Sequence, residues 1–286
     1  MRYQAIQATP SPLALGRRCA LLEVSRSGFY AWRRRGESRR ALANRQLVVA
    51  MHQIHTAVDR SYGSPRMHRE LLGQGLACGR HRVARLMQAH GIRGKQARRF
   101  RVTTDSAHGL AVSPNHVGRQ FTAARPNQLW MSDVTFLPTA EGWCYLAVLL
   151  DAYSRRVVGW ALGPTLSTTL PLAALHRALA IRRPPRGLVH HSDRGSQYAS
   201  AAYQGVLQQH GVTGSMSRAG DCWDNAVVES FFHTLKVERV HDRRYATWEE
   251  AHADVADYIE RFYNRQRRHS TLGYLSPAMF ELQSAA

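Results

Sequence analysis

Long apolar runs are missing from this sequence. None approaches the ~18 residues a membrane span requires, and the N-terminus, MRYQAIQATPSPLALGRR, has no apolar core of the kind a secretory signal carries. Cysteine is scarce: Cys19, Cys78, Cys144 and Cys222 lie far apart and form no CxxC pair. That spacing excludes a disulfide frame and a cysteine zinc site, and reads as reduced thiols in a cytoplasmic protein. The phosphate-cradling pattern GxxxxGK[ST] is absent, so chemistry on phosphates here needs other means. Lysine is nearly missing: Lys95 and Lys236 are the only two among 39 basic residues. Acidic residues are rare in one region alone. Residues 1–125 hold 23 basic and 5 acidic side chains, and residues 126–286 hold 16 and 15.

A GC-rich genome accounts for arginine in place of lysine, but not for where the excess sits. A first part this basic points to a polyanion, and arginine's planar fork suits phosphate and guanine edges. Within it, Leu13 to Leu22 has helical apolar spacing. A break at Glu23-Val24-Ser25 leads to a helix that Ser25 or Ser27 can cap. Glu23 stands where a turn glycine is more comfortable. Arg26 and the run Arg33, Arg34, Arg35 make this a candidate helix-turn-helix over residues 1–41. Arg40 to Arg45 reads as a link and Asn44 to Ala57 as a helix. Ser64 and Pro65 restart the chain with a cap and a first-turn proline. A further helix, Arg80 to His90, turns Val83, Leu86 and Met87 inward and Arg80, Arg82 and Arg85 outward. Residues 42–101 are thus a second helix-turn-helix-like region ending in a basic arm, and 102–125 a linker. Double-stranded DNA is the expected partner.

From Pro126 the pattern changes. Leu129 to Leu137, Trp143 to Leu150 and Arg155 to Leu162 read as three strands of an antiparallel meander. Leu170 to Ile181 is a helix, Gly187 to His191 a fourth strand, Tyr198 to His210 a helix and Val212 to Met216 a fifth strand. Trp248 to Arg268 is a long helix, and Pro277 breaks the tail. The fold class is α/β, a mixed sheet with helices in residues 126–286. Between Gly220 and Val240, Val228, Phe231, Phe232 and Leu235 form an apolar stripe. Asn225, Glu229 and His233 step by four along one side, with Lys236 three further on, and Asp221 or Asp224 can cap the start.

Three acids stand out. Asp133 lies inside an apolar strand, which is costly unless the carboxylate is paired or holds metal. Asp193 leaves a strand end beside a glycine turn, and Glu229 sits on the helix just described. If the first and fourth strands are neighbours, all three converge. Oxygen donors of charge −3 suit Mg²⁺ or Mn²⁺, and two such ions are the usual device for in-line displacement at phosphorus. His190 and His191 read as packing groups, Asp151 as a hairpin-end residue, and Trp130 and Trp160 as core. Arg265 to His269 either binds DNA or ends a helix with cations.

Thirty-five residues separate Asp193 from Glu229, and Lys236 follows seven later. This is similar to the D,D-35-E plus lysine arrangement of retroviral-integrase-like DDE recombinases. The words WMSDVTFL, GWCYLAVLLDAYSRRVVGW, HHSDRGSQY, DNAVVESFFHTLK and YNRQRRHSTLGYLSP together resemble the second-reading-frame product of IS3-family insertion-sequence transposases, from about Gly16 to Phe280. The resemblance implies an RNase H-like core in which Asp133, Asp193 and Glu229 are catalytic and hold the metals. It implies Lys236 on the element-end DNA, with Asn225 beside the site as a further DNA contact. It also implies a bacterial cytoplasmic, nucleoid-associated enzyme that works as a homo-oligomer on DNA, with the first-frame product as a further partner. Water cleaves at an element end, then the freed 3′-hydroxyl attacks another strand. A catalytically dead DNA-binding regulator and a structure-specific nuclease are the alternatives, and the intact acids argue against the first.

Overall fold

The structure, a computed structural model, describes residues 2–96, 112–218 and 222–284. Most of the expected basic arm, the boundary at residue 101 and the cap candidate Asp221 lie outside the described residues. No helix of the described residues is long and apolar enough to cross a membrane.

Three short helices open the chain: α1 (Arg2–Ala8), α2 (Leu15–Leu21) and α3 (Arg26–Arg34). They enclose a small core of Ile6, Cys19 and Phe29. Ser25 caps α3 by accepting the Gly28 N–H at 3.0 Å, and Glu23 takes the left-handed conformation, φ 52°. A second group follows: α4 (Arg39–Ala57), α5 (Ser64–Gly73) and α6 (Arg80–Ala89). Two expectations are corrected here. The link at Arg40 to Arg45 is helix, because Ser38 caps α4 by accepting the Ala41 N–H at 3.1 Å and no breaker follows. Ser64 is the first residue of α5 and makes no cap; Gly63 stands at that position, and Pro65 opens the turn.

The five strands are β1 (Leu129–Thr139), β2 (Gly142–Asp151), β3 (Val157–Gly163), β4 (Val189–Ser192) and β5 (Thr213–Met216), in sheet order β3-β2-β1-β4-β5. The meander is antiparallel, and β1 pairs with β4 in parallel. One face carries α7 (Thr169–Arg182) and, after the short α8 (Ser196–Ala199), α9 (Ala201–Gln209). Gly159 on β3 lets α7 approach: a Cβ there would collide with the Ala174 carbonyl and stand 2.7 Å from the Ala178 Cβ. Gly159→Ala is therefore expected to cost about 1–3 kcal/mol of stability by overpacking, read from the midpoint of chemical denaturation.

The opposite face carries α10 (Ala226–Leu235) and α11 (Trp248–Ala256), each continued by a wider π-type turn, Lys236–Val240 and Asp257–Tyr263. The expected helix Trp248 to Arg268 thus ends earlier. Pro277 begins α12 (Pro277–Ser284) instead of breaking it, as fits a proline in a first turn. Glu281 on α12 accepts from Ser154, Arg156 and Arg182, tying the tail to the sheet. On this face the apolar side chains of α4, α5 and α6 merge with those of the sheet, α10 and α11 in one core.

Candidate active site

Parallel pairing of β1 with β4 ends at Met131↔His191. Asp133 and Asp193 each lie two residues beyond that pair. With a side-chain period of two on adjacent parallel strands, both carboxylates are carried to the same side of the sheet end. Asp193 is fixed by a local turn, in which its Oδ1 accepts the Gly195 N–H at 3.0 Å. Asp133 Oδ1 accepts the Val134 N–H at 2.7 Å.

Glu229 arrives on α10. Val228, Phe231, Phe232 and Leu235 are buried on the sheet, each contributing about 1.5–3 kcal/mol, and this leaves Glu229 half-buried on the helix flank. Asn225, immediately before α10, donates from Nδ2 to the Ser132 carbonyl at 3.1 Å. The start of the helix is thereby stitched to the residue before Asp133. Asn225 is 3% exposed, and its Oδ1 is buried without a partner. The amide acts inward, on β1. His233 is exposed. Lys236 starts the wider turn, where its Nζ lies 4.9 Å from the centre of the Phe136 ring.

The electrostatics join these groups. Burial, then the charge of Asp193 and in lesser part that of Glu229, push the Asp133 carboxyl well above the usual range; Lys236 opposes them. Burial raises Glu229. Burial also lowers Lys236, against the attraction of Asp133. Among the described residues no three His, Cys, Asp or Glu side chains are gathered tightly enough to hold one metal ion. The donors of Asp133, Asp193 and Glu229, all carboxylate oxygens, suit a hard divalent ion.

The family described as integrase core domain matches residues 123–222, a second integrase core domain family matches 210–277, and an HTH-like domain matches 42–100. The chain is 42% identical to the transposase InsF for insertion sequence IS3A of Escherichia coli K12, over the full length of both. It is 44% identical to an uncharacterized 31 kDa protein of insertion element IS600 from Shigella sonnei, over 92% of this chain and 96% of that one. It belongs to the IS3-family transposases. A solved simian T-cell lymphotropic virus intasome contains a chain 14% identical, covering 81% of this chain and 74% of that one at a TM-score of 0.47.

The other residues singled out in the transposase's sequence divide by burial. His190 and His191 are buried and held neutral, lowered by burial to about 3 and about 4. His190 meets the Tyr203 hydroxyl, and His191 meets Ser215 and Ser217. Asp151 is buried at the hairpin end and accepts the Asn127 and Tyr153 N–H groups. Trp130 and Trp160 are core. Arg26, Arg33, Arg34, Arg35, Arg80 and Arg85 are exposed, but Arg82 turns inward and donates to Asn44 on α4 at 2.8 Å. In the run Arg265 to His269, Arg267 is buried in a two-bond pair with Glu238, and Arg268 reaches Glu70 on α5. These two arginines bind protein. Asp224 was read as a helix cap; its carboxylate instead accepts from Arg218, Arg119 and Asn115. No local spacing in the sequence signals those partners.

Proposed function

We propose that Asp133, Asp193 and Glu229 together hold divalent ions, Mg²⁺ or Mn²⁺ and two in number, for cleavage at the element's ends and joining of the freed 3′-hydroxyl to target DNA. The observation that carries this reading is the position of Asp133 and Asp193, each two residues past the end of the β1–β4 pairing, with Glu229 on α10, whose start is bonded to the residue before Asp133. Such ions supply charge neutralisation at the phosphate and a lowered pKa for the attacking hydroxyl. The protein's part is to place and exclude. The Asp193 turn and α10 aim two carboxylates at Asp133, and Asn225 fixes the strand behind it. Lys236 contributes a cation at the rim for an element-end phosphate. One site serves both steps, because water and a 3′-hydroxyl attack phosphorus in the same way.

DNA is held elsewhere by the exposed arginines of two modules, residues 1–41 and 42–101, with 102–125 linking them to the catalytic region 126–286. Cytoplasmic action at the nucleoid, assembly of several copies on two ends, and cooperation with a first-frame product complete the proposal. It is tested with duplexes carrying the inverted repeats that flank the gene, incubated with Mg²⁺ and target DNA. End-specific joining by the wild type, absent for Asp193→Asn, supports it. Cleavage of junctions or hybrids without joining would instead mark a structure-specific nuclease.

Crowding of the acids also has a cost before any ion binds. In a chelator, Asp133→Asn is expected to unfold at higher denaturant than the wild type, because an amide removes charge from a desolvated cluster. Added Mg²⁺ is expected to stabilise the wild type and not the variant.

A further inference from the structure

Asp224 has no exposed surface, yet its carboxylate accepts five hydrogen bonds. Arg218, just past β5, supplies its backbone N–H at 3.0 Å, Nε at 2.9 Å and Nη2 at 2.9 Å. The other two come from the connector: Asn115 Nδ2 at 2.9 Å and Arg119 Nε at 3.0 Å. The connector is itself shaped for this. Asn115 Oδ1 accepts the Val117 and Gly118 N–H groups, closing a turn, and Arg119 follows in the left-handed conformation. The His116 N–H donates to Ser215, which also meets His191 on β4. Asp224 directly precedes Asn225, whose amide grips the strand carrying Asp133, and α10 starts one residue later.

We propose that Asn115, Arg119 and Asp224 form a clasp of positioning residues by which the connector sets where Glu229 stands relative to Asp133. The Arg119 bond is charge-assisted, and Arg218 holds the same carboxylate by a two-bond pair from the β5 side. Glu229 lies one helical turn from Asn225, so a shift of the helix start moves its carboxylate with it. On this view the segment leading from the DNA-binding helices to the sheet is part of the catalytic site's supporting structure. The inference rests on the reading of Asp133, Asp193 and Glu229 as the ion-holding acids.

The test is Mn²⁺ binding by calorimetry to the full chain, comparing wild type, Asn115→Ala/Arg119→Ala and Glu229→Gln. The double variant is expected to lose about tenfold or more in Mn²⁺ affinity, the size typical of groups that orient metal ligands, with duplex DNA binding in chelator unchanged. Arg119→Lys is expected to lose less than the alanine variant. Unchanged Mn²⁺ affinity in the double variant, with a loss in Glu229→Gln, overturns the clasp alone. Unchanged affinity in Glu229→Gln overturns the assignment of the acids. Where the double variant also melts earlier, amide hydrogen exchange decides. Faster exchange confined to residues 222–235 supports the clasp, and uniformly faster exchange across the sheet overturns it.

Discussion

Asp193→Asn, Asp133→Asn and Glu229→Gln are each expected to reduce end cleavage and joining by about a thousandfold or more, equivalent to roughly 4 kcal/mol in the barrier. Each change is nearly isosteric and removes a single charge. Asp193 sits in a turn closed by the Gly195 N–H, and an amide oxygen can still accept that bond. Loss of activity would therefore report chemistry, not collapse. Binding to end DNA is expected to stay within about twofold, because the exposed arginines proposed to meet phosphates lie on and beside α3 and on α6. The measurement is a labelled end duplex resolved by size after incubation with Mg²⁺, beside a mobility-shift titration at the same salt. Equal joining by wild type and any one variant would remove that residue from the site.

Glu238→Gln is expected to destabilise the folded chain by about 3–5 kcal/mol, the range for removing one partner of a buried ion pair. Glu238 lies on the wider turn after α10 and is buried. It accepts from Arg267 Nε at 2.8 Å and Nη2 at 2.7 Å, from the Tyr258 hydroxyl at 2.9 Å, and from Arg66 on α5 at 3.3 Å. Arg267 is 3% exposed, and its Nη1 already lacks a partner. The amide would leave the buried Arg267 guanidinium, and the partly buried one of Arg66, without their counter-charge. Glu238→Met combined with Arg267→Met is expected to cost much less, because two apolar chains of similar size need no counter-charge. Denaturant titration of the single and double variants checks both statements. A single variant within about 1 kcal/mol of wild type would show that water or rearrangement already compensates the charge.

The same pair marks a limit of local reading. Arg265 to His269 looked like either a DNA contact or a cationic helix end. Arg267 is 29 residues from Glu238, and Arg66 is 172. No periodicity within one helix reports a partner at such separations. Arg82 is a second case: its place on the polar side of α6 is plain in the sequence, and the Asn44 Oδ1 that draws it inward is not. Asp224 extends the point: a cap candidate by its place in the sequence, it is spent on Asn115, Arg119 and Arg218.

What the sequence determined by itself is what depends on local order along the chain. Alternating and continuous apolar runs marked the strands, the 3.6-residue stripe marked α10, and the confinement of the basic excess to the first 125 residues marked the part expected to meet nucleic acid. The spacing of Asp133, Asp193, Glu229 and Lys236, set among long matching motifs, was enough to place the chain in its family. The tertiary structure alone decided which side of each element found a partner. It joined α4, α5 and α6 to the catalytic region's core, and it turned Arg82, Arg267 and Asn225 inward. It also laid the connector across the turn before α10. The reason is physical: helix and strand patterns arise from neighbours a few residues apart, whereas ion pairs, shared cores and clasps form between groups that only the folded chain brings within reach.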